Sequence, residues 1–167
     1  GILCGFSSGD NSISLDIENS IIVNNTANIG AGIGALSGDV LINRTLIANN
    51  NGDYGSAISM GEPFGLVIQD ISMTLINSTV ANNYGTMTAG LINTANLDIV
   101  NSIFWNNQSS YEIANLPNNT VLNTQASHSL FENNLMGEEN LIGLDPLFVN
   151  QDNLDFTLQQ GSPCIDS

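Results

Sequence analysis

Lysine is absent from this 167-residue chain, and Arg44 is its single arginine against 16 acidic residues, for a formal charge of −15. Phosphate contacts need Lys and Arg, so the deficit excludes nucleic acid as a natural partner. An anionic membrane surface is disfavoured for the same reason. Yet only 10% of the residues are charged, so the surface must be covered by Asn, Ser, Thr and Gly rather than by salt bridges. Solubility accounts for acidity of this kind; calcium binding or a saline habitat are sharper readings. Long apolar runs are missing as well, so no membrane insertion is expected, and no signal peptide is recognisable. The chain opens on Gly1 without a Met, which reads as a processed product or a fragment. Cysteine is scarce: Cys4 and Cys164 stand near opposite ends. In a stack of repeats they would lie too far apart for a disulfide, and both are expected as buried free thiols. Helical periodicity is absent throughout.

What is present instead is repetition. The octets "ENSIIVNN", "NRTLIANN", "INSTVANN", "VNSIFWNN" and "SHSLFENN" each end on an Asn pair. The pairs are Asn24-Asn25, Asn49-Asn50, Asn82-Asn83, Asn106-Asn107 and Asn133-Asn134, at steps of 25, 33, 24 and 27 residues. A near-constant period in this range marks a solenoid. Two residues before each pair stands a bulky apolar residue: Ile22, Ile47, Val80, Phe104, Phe131. Two residues earlier stands a hydroxyl: Ser20, Thr45, Ser78, Ser102, Ser129. Five before the bulky position come Ile17, Ile42, Leu75, Ile99 and Ala126. Alternation within each short run has the period of a strand, and the three-residue step at the hydroxyl breaks it, so two strands meet there at a tight corner. A third strand holds Ile33, Ile58, Leu91 and Ile113 after a Gly- and Asn-rich turn.

Three strands in roughly 25 residues close no core alone, but stacked repeats pair every backbone group with a neighbour about 4.8 Å away. The expected fold is therefore all-β, a right-handed single-stranded parallel β-helix with three short strands per rung and about five to six rungs. The Asn pairs are expected to turn the chain, because Asn tolerates the left-handed conformation, and to form side-chain ladders between rungs. The bulky residues form an inner stack. A second turn slot holds Asn19, Arg44, Asn77, Asn101 and His128, so the one Arg and the one His read as solvent-facing turn residues.

The 33-residue step implies an insertion of about eight residues between Met60 and Met73, a loop with Glu62 and Phe64 as its conspicuous residues and a candidate binding loop. Residues 1–141 are assigned to the rungs. Residues 142–167 contain Pro146 and Pro163, which do not suit central strands, and are expected as an irregular coil covering the C-terminal end. "GIL" at the start matches "GIG" at 32–34, so the first edge is expected to be open to upstream rungs or to another copy.

The repeat "NSxFxNN" with "GxGI", and the close "DPLFVN…DFTLQQGSPCID", resemble secreted bacterial right-handed parallel β-helix repeat proteins, in particular their C-terminal part. These share the pectate-lyase-like superfamily fold. The resemblance covers nearly the whole chain. It implies export to the cell surface or medium, often with contact to extracellular glycan or adhesion, but fixes no activity, because this fold hosts lyases, hydrolases, adhesins and structural fibres.

Lyase chemistry on such a fold calls for a basic residue and a cation beside the substrate carboxylate. Lys is absent here and Arg44 stands alone. Hydrolysis calls for paired carboxylates, but Asp16 and Asp98 are expected about three rungs apart. Glu138, Glu139, Asp152 and Asp155 fall in loops, where solvation is their bland role; calcium is the one cofactor left open, with Asp152 and Asp155 as its ligands. Sequons at Asn24, Asn43, Asn77, Asn107 and Asn118 follow from the repeat itself. The mixed outward column (Asp16, Leu41, Thr74, Asp98) argues against an ice-binding face. The expected function is a non-catalytic extracellular segment of an adhesin, filament or secreted structural protein, self-associating through its open N-terminal rung. The alternative is the C-terminal part of a polysaccharide lyase or glycoside hydrolase.

Overall fold

The structure, a computed structural model, describes residues 1–4, 14–61, 71–93, 96–109, 111–115, 123–133 and 139–165. Among them it is nearly all β, with one 3-10 turn at Gln151–Asn153 and no α-helix. Three parallel sheets carry the chain, and each gains about one strand per repeat. This arrangement is compatible with a parallel β-helix.

The first sheet stacks Ser14–Glu18, Gly38–Asn43, Ile71–Ile76, Asn96–Val100 and Thr124–Ser127. The second stacks Ile21–Val23, Leu46–Ala48, Thr79–Ala81, Ile103–Trp105, Leu130–Phe131 and Leu141–Ile142. The third joins Ile2–Cys4, Ile33–Ala35, Ile58–Met60, Tyr84–Asn93 and Tyr111–Asn115, with Asn51–Tyr54 beside the long strand. Register follows the sequence repeat. Ile17, Ile42, Leu75, Ile99 and Ala126 are successive partners, as are Ile2, Ile33, Ile58, Leu91 and Ile113. Ile22, Ile47, Val80, Phe104 and Phe131 form the corresponding buried column of the second sheet.

Like residues stack because parallel in-register strands bring equivalent positions within about 4.8 Å of each other. The second-sheet column gains bulk from Val80 to Phe104, and the first-sheet column loses it from Ile99 to Ala126 one repeat later.

The insertion can be placed from register. Ala35 and Met60 are partners 25 residues apart, whereas Gly38 and Ile71 are partners 33 apart. The difference, 33 − 25, is eight residues, and these lie between Met60 and Ile71. Glu62 and Phe64 lie outside the described residues.

Two expectations need revision. The Gly- and Asn-rich segment after the Asn pair is itself paired: Asn51–Tyr54 is a strand, bridged to Thr26 and Ile29 on one side and to Tyr84–Asn93 on the other. Parallel repeats hold backbone in register even where Gly and Asn lower strand propensity. At the other end, the boundary placed after residue 141 falls inside a strand, because Leu141 and Ile142 pair with Leu130 and Phe131. Beyond it, Phe148–Asn150 and Asp155–Leu158 form an antiparallel hairpin. This hairpin borders the flank of the stack, near Ile21 and Leu46, as well as its last strands, near Leu130 and Leu141.

Both cysteines are free thiols. Cys4 is buried, whereas Cys164 is only half-buried, less than its apolar flanks imply. Burial still pushes the Cys164 thiol up, which keeps it protonated and a poor nucleophile.

Candidate functional site

The corner between the first and second sheets begins with one left-handed residue per repeat. Asn19, Arg44, Asn77, Asn101 and His128 have φ of 48°, 50°, 51°, 47° and 51°. Asn suits this conformation because its short amide bonds locally; Arg and His are substitutes held there by the strands on either side. Their side chains form a partial ladder. Arg44 Nε donates to Asn19 Oδ1 at 2.8 Å, and Asn101 Nδ2 donates to Asn77 Oδ1 at 2.6 Å. Exposed His128 pairs with exposed Glu139 through Nε2 and Oε2.

The next residue is the hydroxyl, and it does more than fit a narrow corner. The Ser20, Thr45, Ser78 and Ser102 amides each donate to the hydroxyl one repeat onward, at 3.4, 3.1, 3.1 and 3.0 Å. Each hydroxyl in turn donates to the carbonyl two residues before it. Asn140 ends the series, its Oδ1 accepting from the Ser129 amide at 3.0 Å.

The Asn pairs divide their work. The first members, Asn24, Asn49, Asn82 and Asn106, have φ of 59°, 54°, 54° and 52° and turn the chain. The second members build the buried ladder. The amide and side chain of Asn25 both donate to Asn50 Oδ1 at 3.0 Å; Asn50 does the same to Asn83, and Asn83 to Asn107. At the fifth pair, Asn133 is exposed, Asn134 lies outside the described residues, and Glu132 Oε2 accepts from the Asn106 amide at 3.0 Å.

Two carboxylates are held by hydroxyls of the next repeat. Ser72 Oγ donates to Asp39 at 2.6 Å and Thr86 Oγ1 to Asp53 at 2.9 Å, each from the next repeat. In the outward column Asp16, Leu41, Thr74, Asp98 and Gln125 are successive partners. Asp16 and Asp98 are thus three strand spacings apart, about 14 Å, beyond the carboxyl separation of either glycosidase geometry. Among the described residues no three of His, Cys, Asp and Glu gather where they could hold a metal ion. Asp152 sits exposed in the 3-10 turn. Asp155 Oδ1 accepts from both the hydroxyl and the amide of Thr157.

The Thr157 hydroxyl, and after it the Thr157 amide, hold the Asp155 carboxyl below its ordinary value. A depressed carboxyl contributes stability that is complete above its unfolded pKa and is lost as pH falls through the folded one. Thr157→Val is therefore expected to raise the Asp155 pKa toward that of an unperturbed Asp, leaving neutral-pH structure intact; NMR titration of the carboxyl carbon reads this directly. An unmoved titration would mean that Thr157 is not what lowers it.

The hairpin and the corner column enclose a groove. One cavity of about 420 Å³ is bordered by Asn77, Asn101 and His128 on the column side and by Phe156, Leu158 and Cys164 opposite. A second, about 510 Å³, is bordered by Asn19, Ile21 and Arg44 and by Leu154, Asp155 and Phe156. Asn77, Thr79, Phe156 and Thr157 border both, so the two are continuous. Arg44 and His128, the only basic side chains of the sequence, thus face the same groove. The repeat exposes the column to sequence reasoning; nothing in it indicates that residues 154–158, which follow Arg44 by over a hundred positions, lie opposite.

Compared with protein-family models, with curated proteins and with solved structures, the chain matches none. No helix among the described residues is long and apolar enough to cross a membrane.

Proposed function

We propose that this chain is a non-catalytic extracellular segment of a right-handed parallel β-helix of about five to six rungs, belonging to a surface adhesin, filament or secreted structural protein. The observation that carries this reading is the pair of side-chain ladders. The hydroxyl and the second Asn of the repeat bond to the next repeat, and Asp39, Asp53 and Asp155 accept from hydroxyls. In the hydroxyl and buried Asn ladders each link runs from an N–H to an oxygen one repeat onward. Among the described residues no donor reaches the Ser20 hydroxyl, so a further parallel rung offering an amide would continue the series. Stacking through this edge, by upstream rungs or by another copy, is the expected mode of association.

Light scattering over a concentration series, with calcium and then with a chelator, tests the reading. Growth with concentration supports assembly through the open edge, and a calcium-dependent change would assign the acidic residues a role in it. The alternative, the C-terminal part of a carbohydrate-active enzyme, is favoured by the eight-residue insertion and the groove. Release of reducing ends from a neutral or acidic glycan, or of unsaturated uronate, by the purified chain would replace the structural reading with this one.

A further inference from the structure

The hairpin strand Asp155–Leu158 pairs with Phe148–Asn150 on one edge and with no other described strand. Its residues border both cavities, and none from Phe148–Asn150 does. The unpaired edge of Asp155–Leu158 therefore looks into the groove. The floor is the outward column of the second sheet, in which Ile21, Leu46, Thr79, Ile103 and Leu130 are successive partners. Leu130 is 1% exposed and Ile21 is 71% exposed, so this aliphatic stripe is covered at one end and bare at the other. The far wall is the corner column of carboxamides with Arg44 and His128.

Among the described residues no carboxylate pairs with Arg44: its Nε bonds Asn19, and the ion pair is His128–Glu139. Asp155 shares the cavity with Arg44, but its Oδ1 is turned to Thr157. A guanidinium with no described carboxylate on it, beside an open cavity, is a place for one.

We propose that this groove binds an extended peptide segment that adds to the free edge of Asp155–Leu158, lays apolar side chains on the aliphatic stripe and sets one carboxylate on Arg44. Strand addition supplies main-chain bonds, and the pockets for alternate side chains supply selectivity. Arg44 and His128 are three strand spacings apart, about 14 Å, which about four residues of extended chain span at roughly 3.3 Å each. A pentapeptide with one carboxylate among apolar residues, such as LDFTL, has this chemistry. A saccharide is matched less well. The floor is aliphatic, and Phe156, the one aromatic among the lining residues, already packs edge-to-face on Phe148 at 5.0 Å.

Fluorescence anisotropy of a fluorescein-labelled peptide of sequence LDFTL, titrated with the whole chain, tests the proposal. Saturable binding is expected, weakened roughly tenfold or more by Arg44→Asn. That variant keeps the fold, because Asn is the residue this column holds at Asn77 and Asn101 with the same positive φ, and its melting midpoint should match the parent. Methylating alternate backbone nitrogens of the peptide should abolish binding. Absence of binding, equal binding by Arg44→Asn, or equal binding of the methylated peptide would overturn the proposal. So would an oligogalacturonate that binds in place of the peptide and is lost in Arg44→Asn.

Discussion

Replacing Phe104 by alanine is expected to destabilise the fold by about 3 to 5 kcal/mol, the range for deleting a buried aromatic side chain. Phe104 is completely buried and stacks on Phe131, with ring centroids 5.4 Å apart and planes 27° from parallel. Its column neighbours are Val80 and Phe131, and the strands around it are tied by in-register pairing on both sides. The backbone cannot collapse into the vacated space without breaking that pairing, so most of the cavity cost should remain. Urea denaturation read at the midpoint gives the value. A change under about 1 kcal/mol would mean that the column is not packed as described.

The second large effect is expected at Asn83, and its contrast with Asn82 carries the information. Asn83 is completely buried. Its Oδ1 accepts from the Asn50 amide and side chain, and its Nδ2 donates to Asn107 Oδ1 and to the Ile47 and Ala81 carbonyls. Asn83→Ala strands at least two buried groups. At about 1 to 3 kcal/mol each, the expected loss is about 2 to 6 kcal/mol. Asn82 has φ of 54° and turns the chain. Asn82→Ala should cost the left-handed penalty, about 1 to 2 kcal/mol, together with the partly buried bond that Asn106 Nδ2 donates to Asn82 Oδ1, and Asn82→Gly should cost less because it removes only that bond. Equal losses at the two positions would remove the division of labour between members of the pair.

That division illustrates what a sequence can and cannot show. Both members of each pair are Asn, and the repeat assigns them a joint role in turning and tethering. Separating the roles takes backbone angles and donor–acceptor geometry. The hydroxyl column is similar: its spacing marks a corner, but the amide-to-hydroxyl relay from Ser20 to Ser129 depends on which atoms meet across repeats. Asn140 could not be read as the terminus of that relay, because it lies outside the octet pattern.

Sequence alone determined the period, the choice of strand over helix, the inward columns and the corner positions. These follow from spacing along the chain, since a period-2 alternation broken by a three-residue step has few geometric solutions, and stacking repeats brings like onto like. It also placed the insertion to within a few residues, because an insertion changes one step and leaves its neighbours alone. Tertiary structure decided what the spacing does not encode. Leu141 and Ile142 join the second sheet, although their segment lacks an Asn pair, because an exposed sheet edge offers backbone groups to any extended segment. The hairpin at 148–158 stands across a groove from Arg44 and His128, and residues 154–158 border that groove. Contacts between segments so distant in sequence are set by surface complementarity, which no local pattern records.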